Sequence, residues 1–318
     1  MRGRGGLPRV AAMCEKGALS SLRWSRRIMV IPVISGLSQI AARYDGFVLD
    51  VWGVVHQGGP AFPEVVECLE RLAALGQPVV FLSNAPRRAA RVEQQLEAKG
   101  VPPGLHRGVV SSGEVTRTAL ETRRDAALAA LGPRYFLLGP DMDDDLLDGL
   151  DYRRADTVER ADFLLAIGLD DARPTVAHYE DALAAAARRG LPMLCANPDL
   201  VVVRLGVREA CAGALAARYR ELGGGVSYFG KPYPSSYPPT LGKLGLSAAD
   251  RVLAIGDGIE TDIRGARAAG LASLLVTGGI LADALGIDRL SLPPADALEA
   301  LVTSPEIRPD AAIPVLRW

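Results

Sequence analysis

With 318 residues, a net charge of −1 and charged side chains of both signs making up 23% of the chain, the sequence carries no basic footprint for nucleic acid. Aromatic residues amount to 5%, which leaves a single-strand binder without its stacking platforms. No apolar run approaches the ~20 residues that span a bilayer, and the length suits two domains with sizeable cores. The four cysteines, Cys14, Cys68, Cys195 and Cys211, lack C-x-x-C spacing. That spacing speaks against a zinc site or a disulfide framework and for a reducing, cytoplasmic setting. Cys195 lies in an apolar run and reads as a small core residue.

Residues 1–28 hold seven basic side chains and almost no acids, and no apolar stretch long enough for a signal peptide. They read as a disordered or mis-assigned leader, with Met29 as the real start; an organelle transit peptide is the alternative. From Gly46 the pattern becomes strand, turn, helix. Phe47–Leu49 is a buried strand that ends on Asp50, and Glu64–Leu75 carries Val65, Leu69 and Leu72 at helical spacing behind Pro63. A second strand, Val79–Leu82, ends in Ser83-Asn84. A helix runs from Pro86 to Lys99, and a third strand, Gly108–Val110, follows. Alternating short apolar strands and amphipathic helices predict a parallel sheet covered on both faces.

The middle reads as a smaller α/β unit. A long helix over Glu114–Leu131 is expected, then strands at Tyr135–Leu138, Asp162–Ile167 and Met193–Ala196, with a helix over Thr175–Arg189. Asn197-Pro198-Asp199 punctuates its end. The run Asp141 to Asp145 reads as a solvated acidic turn, and His106 and His178 as solvated side chains. The first rhythm then returns: a helix at Cys211–Leu222, a strand at Val226–Phe229 leading to Gly230-Lys231-Pro232, and a helix at Ser235–Leu244. The strand Val252–Ile255 runs into Gly256-Asp257, and a strand at Ala272–Val276 follows. The end, with Pro305, Pro309 and Pro314, reads as an extended surface tail. The expected organisation is an α/β core at 29–112 and 201–318, interrupted by an inserted α/β unit at 113–200.

Ligands of open α/β sheets gather at the carboxyl ends of the strands, and four such ends here carry polar groups: Asp50, Ser83-Asn84, Lys231, and Asp257 with Asp262. Asp50 alone is ambiguous, since a carboxylate there can attack an electrophile, hold a metal or merely cap a turn. Together the groups are more specific. Two carboxylates suffice to hold Mg²⁺, a hard cation with oxygen ligands. Lys231 and Ser83 supply the positive charge and donors that a phosphoryl group needs. Attack by a carboxylate on phosphorus gives an aspartyl phosphate, an established form of covalent catalysis. Gly256-x-Gly258 lacks the third glycine of a dinucleotide-binding loop.

The set, in this order, resembles the haloacid dehalogenase (HAD) superfamily, and within it subfamily IIA, the NagD-like and 4-nitrophenylphosphatase-like proteins. The matching pieces are Leu49-Asp50-Val51-Trp52-Gly53-Val54, Leu82-Ser83-Asn84, Gly230-Lys231-Pro232 and Ile255 through Asp262. The resemblance implies a HAD-type Rossmannoid core with a C2-type cap, and a Mg²⁺-dependent phosphatase acting on a small phosphorylated metabolite. It further implies Asp50 as nucleophile and metal ligand, Ser83 and Asn84 at the phosphoryl group, and Lys231 neutralising charge. The Trp52 backbone carbonyl and Asp257 become metal ligands, with Asp262 supporting them. A homodimer formed through the cap is a further expectation, whereas nucleic-acid and membrane partners are not expected.

One position departs from the pattern. Two residues after the nucleophile the family usually carries a second Asp, general acid to the leaving group and base to the water; here it is Trp52. Losing a positioned acid typically costs ~10²–10⁴ in rate, most for alkyl phosphates and least for aryl or acyl phosphates. His56 is a candidate replacement if the turn folds it back, and a flap histidine otherwise. A second reading follows from Trp52: a catalytically weak or inactive relative that binds a phosphorylated ligand.

Overall fold

The computed structural model describes residues 30–141, 145–247 and 250–318. The expected leader, Met29, Cys14 and the middle of the acidic run lie outside the described residues. In chain order the first strands are β1 (Gly46–Leu49), β2 (Val79–Ser83) and β3 (Val109–Ser111). Then come β4 (Arg134–Leu138), β5 (Arg153–Arg154), β6 (Phe163–Ala166), β7 (Met193–Cys195), β8 (Val201–Arg204), β9 (Val207–Ala210) and β10 (Val226–Tyr228). β11 (Val252–Gly256), β12 (Ala272–Val276) and β13 (Ala311–Ile313) complete the set.

Six strands form the core sheet in the order β13-β12-β11-β1-β2-β3, all parallel. Phe47, Val48 and Leu49 are buried on both faces of β1, which is why an unbroken apolar run suits that place. The helix Pro63–Ala74 covers one face with Val65, Cys68, Leu69 and Leu72, a stripe of three- and four-residue spacing, and Pro63 opens its first turn. Each such side chain contributes roughly 1.5–3 kcal/mol by leaving water. The chain steps outward from β1 to β2 and β3 on one side, and from β11 to β12 and β13 on the other. β1 and β11, with Leu49 opposite Ile255, therefore flank the point where strand order reverses, the place where such sheets bind ligands.

A second parallel sheet, β10-β7-β6-β4-β5, forms the inserted unit, with the helices Glu180–Arg188 and Ala212–Glu221 packed on it. Four expectations change here. The helix expected over Glu114–Leu131 is two: Ser112–Thr122, which stops where Arg123 turns left-handed at φ 45°, and Ala126–Ala129. Asp125 causes the second start, because its carboxylate accepts the Ala127 N–H at 2.7 Å. Residues 201–210, expected to belong to the core, fold as an antiparallel hairpin, β8 with β9. Its two-residue turn is Leu205-Gly206, both at positive φ, as a tight hairpin matching strand twist requires.

The core was also expected to resume at 201, yet β10 hydrogen-bonds to β7, so the second sheet's chain extends to Tyr228. Finally, the C-terminal stretch is no surface tail. β13 pairs with β12 as the edge strand of the core sheet and buries Ala311, Ala312, Ile313 and Leu316. The flanking prolines lie outside the strand, where their missing N–H groups cost no ladder bonds. Among the described residues no helix is long and apolar enough to cross a membrane.

Candidate active site

The expected residues converge. Asp50 follows the last residue of β1, Ser83 ends β2, and Asp257 follows β11, so register alone brings these side chains to one edge of the sheet. Lys231 enters from the loop after β10, and its ammonium lies 2.6 Å from Asp50 Oδ1 and 2.7 Å from Asp262 Oδ1. The carboxylates of Asp50, Asp257 and Asp262 offer oxygens within 4.8 Å of one another. All four groups are nearly out of water, from 3% exposed for Lys231 to 8% for Asp50.

Buried charge this dense shifts protonation. Burial first, and then the Asp262 carboxylate, push Asp50 well above the usual carboxylate range, against the pull of Lys231. The same two causes push Asp257 up to about 7, although the Ile280 N–H donates to its Oδ2 at 2.8 Å. Burial alone would lower Lys231, but the carboxylates of Asp262, Asp50 and Asp199 outweigh it and hold the ammonium above its ordinary value.

Three carboxylates face one ammonium, so with all three ionised the cluster would carry two negative charges in excess. That surplus fits a divalent cation, and the donor atoms sort accordingly. Asp262 has both oxygens engaged, Oδ1 by Lys231 and Oδ2 by the Gly258 N–H at 3.0 Å. Asp50 Oδ1 takes Lys231 and the Val51 N–H, and Asp257 Oδ2 takes Ile280. Among the described residues no hydrogen bond reaches Asp50 Oδ2 or Asp257 Oδ1, which leaves one oxygen on each for a metal. Gly53 makes this possible: at φ 86° its missing Cβ would lie 1.9 Å from Asp257 Oδ2.

Asn84 fastens the site together. Its Oδ1 accepts the Lys231 N–H at 2.7 Å, and its Nδ2 donates to the Lys231 carbonyl at 3.1 Å and to Asp199 Oδ1 at 2.8 Å. Asp199 is the residue that sequence reasoning missed. It was read as part of a turn, but it ends the inserted unit's β7 connection, lines the cavity and is pushed up by burial. Its signal was present: a carboxylate just past the carboxyl end of a parallel strand.

His56, the expected candidate for the missing acid, is engaged elsewhere. Its Nδ1 accepts the Gly58 N–H at 3.1 Å and its ring sits edge-on to Trp52 at 5.0 Å. It is not among the cavity-lining residues. Burial, with Lys99 and Arg204 nearby, lowers it to about 4, which disfavours the imidazolium form that a general acid would use. His106 is half-buried against Phe81 rather than solvated, at 5.1 Å. Asp141 and Asp145, the described ends of the acidic run, pair with Arg154 and Arg91.

A cavity of about 220 Å³ opens above the cluster, walled by Asp50, Trp52, Ser83, Lys231 and Asp257 from the core and by residues of the β8–β9 hairpin and Asp199 from the inserted unit. The family profile for haloacid dehalogenase-like hydrolases matches residues 47–153, and a second HAD-hydrolase-like profile matches 228–312. A hydrolase of the haloacid dehalogenase-like family from Brucella suis 1330 is 33% identical, with a TM-score of 0.75 over 89% of this chain and 99% of its own. Human chronophin is 28% identical over 77% of this chain and 85% of its own length. The 5′-nucleotidase YutF of Bacillus subtilis is 22% identical over 74% of this chain and 88% of its own.

The chain therefore belongs to the haloacid dehalogenase-like hydrolases. Within them, the four motifs in order and the inserted α/β cap make it a member of subfamily IIA, the NagD-like and 4-nitrophenylphosphatase-like proteins, whose members are phosphoric monoester hydrolases. The stretch between the two profiles, 154–227, is most of the cap.

Proposed function

We propose that this chain is a Mg²⁺-dependent phosphatase that removes the phosphoryl group of a small metabolite through Asp50. One observation carries the reading: a buried ammonium bridging Asp50 and Asp262 at 2.6 and 2.7 Å, beside a third carboxylate, on a cavity floor. Asp50 Oδ2, Asp257 and the Trp52 carbonyl would hold the ion, and Asp262 would orient Lys231 and support the metal ligands. Bound Mg²⁺ supplies positive charge to the phosphoryl oxygens and keeps the carboxylates ionised.

Asp50 attacks phosphorus, the bond to the leaving oxygen breaks, and the phosphoryl group is carried as an aspartyl phosphate. Water then attacks phosphorus, releasing inorganic phosphate and restoring the carboxylate. Lys231 and Ser83 offset the negative charge that develops on the phosphoryl oxygens. With Trp52 at the acid position, the leaving oxygen departs without a proton from that side. The substrates expected to react fastest are therefore aryl and acyl phosphates, whose leaving groups are stable as anions. The kinship with a nucleotidase makes nucleotides candidates too. We place the protein in the cytoplasm, consistent with Cys68, Cys195 and Cys211 as free buried thiols.

Trp52 also favours a second reading, a relative that binds a phosphorylated ligand without turning it over. Phosphate release from 4-nitrophenyl phosphate with Mg²⁺ separates the two. The phosphatase reading expects release by the wild type and none by Asp50→Asn. Absence of release by the wild type, with retained binding of inorganic phosphate, establishes the second reading instead.

A further inference from the structure

The side chain that stands in the acid's place is engaged elsewhere. The Trp52 indole Nε1–H donates to the Val203 carbonyl at 2.8 Å, a bond from the nucleophile loop of the core to the β8–β9 hairpin of the cap. The Arg204 guanidinium lies 5.0 Å above the indole ring, and Glu209 across the hairpin holds it there at 2.8 Å. A third tie is backbone to backbone: the Leu205 N–H donates to the Gln57 carbonyl at 3.0 Å. The landing strip is itself braced, since Lys99 Nζ donates to the carbonyls of Gly58 and Gly59 at 2.7 and 2.8 Å. Gly58 sits at φ 104°, with Leu205 and Arg204 atoms 3.4–3.5 Å from where its Cβ would be, so the hairpin lies directly on it.

An aspartate at 52 would break two of these ties. It has no donor for the Val203 carbonyl when ionised and no ring for the guanidinium to cover. The hairpin is also no bystander, because Val201, Val202, Val203 and Arg204 wall the cavity over Asp50.

We propose that Trp52 is a positioning residue that latches the β8–β9 hairpin onto the nucleophile loop, so that the hairpin forms a fixed wall against the substrate's leaving group. The position has exchanged proton donation for closure. The latch itself is independent of the reaction; only its effect on substrate rests on the phosphatase reading.

Hydrogen–deuterium exchange of residues 201–210 tests it in the wild type, Trp52→Phe, Trp52→Ala and Arg204→Ala. Trp52→Phe keeps a ring and loses one hydrogen bond, so hairpin exchange is expected to quicken about three- to tenfold. Trp52→Ala quickens it further, while the amides of β1 keep their wild-type protection. Arg204→Ala quickens exchange less in the Trp52→Ala background than in the wild type, because beyond its pair with Glu209 the guanidinium acts through the ring. Hairpin exchange at the wild-type rate in both Trp52 variants overturns the proposal, and Trp52→Phe suffices should Trp52→Ala fail to fold.

With 4-nitrophenyl phosphate and Mg²⁺, Trp52→Phe is expected to raise KM by a larger factor than it lowers kcat, since a loosened wall loses binding common to ground and transition states. A fall in kcat with KM unmoved overturns the wall's role towards substrate. If the wild type releases no phosphate, the phosphatase reading fails while the exchange experiment still decides the latch.

Discussion

Asp257→Asn should make the metal-free protein more stable and the enzyme inactive. Asp257 is buried against two other carboxylates and is pushed up to about 7. A carboxyl whose pKa is raised by folding keeps a proton that the unfolded chain has released. The native state thus binds more protons than the unfolded state, and stability falls as pH rises from the ordinary carboxylate range through 7. At pH 8 the ionised group costs the fold about 4 kcal/mol, and near pH 4.5 only about 1 kcal/mol. An asparagine is neutral at both, and its side-chain oxygen still accepts the Ile280 N–H.

In EDTA at pH 8 the variant should therefore unfold higher than the wild type, by on the order of 5 °C for a chain of this size. The gap should close as the pH approaches 4.5. Mg²⁺ at 100-fold its dissociation constant should then add about 2.7 kcal/mol to the wild type and far less to the variant, closing most of the gap between them. Thermal unfolding followed by circular dichroism at the two pH values, with and without Mg²⁺, reads all of this. A variant less stable than the wild type in EDTA at pH 8, or a gap of equal size at both pH values, refutes the reasoning.

Trp52→Asp should raise kcat/KM on alkyl phosphates relative to 4-nitrophenyl phosphate by up to ~10² as the proton donor returns, while the lost latch raises KM for both, and the ratio of the two substrates is the measurement. Gly53→Ala forces a left-handed alanine whose Cβ meets Asp257 Oδ2 at 1.9 Å, so Mg²⁺ affinity should fall at least ~10-fold by calorimetry. Removing residues 311–318 strips β13 and the buried Ile313, Val315 and Leu316 from the sheet edge. At roughly 1.5–3 kcal/mol per side chain, the truncated protein should lose most of its stability to urea.

The core was legible in the sequence because its signals are local. A strand buried on both faces must be an unbroken apolar run, and a parallel sheet must put the ends of its strands on one side, so Asp50, Ser83 and Asp257 could be placed at one edge before any coordinates, whereas Lys231 follows a strand of the second sheet. What the sequence could not settle were pairings between distant segments. Val226–Tyr228 reads equally well as a strand of either sheet, and only its bonds to Met193–Cys195 assign it to the cap. Ala311–Ile313 is three short residues among prolines, a strand solely because β12 offers it an open edge. Asp199 looked like turn punctuation until Asn84 reached it across the cap boundary. The resemblance to the family pattern marked Trp52 as standing where a second Asp is usual. That its indole donates to Val203 of the cap hairpin was decided by tertiary structure, because a hydrogen bond to a carbonyl 151 positions away leaves no trace in local pattern.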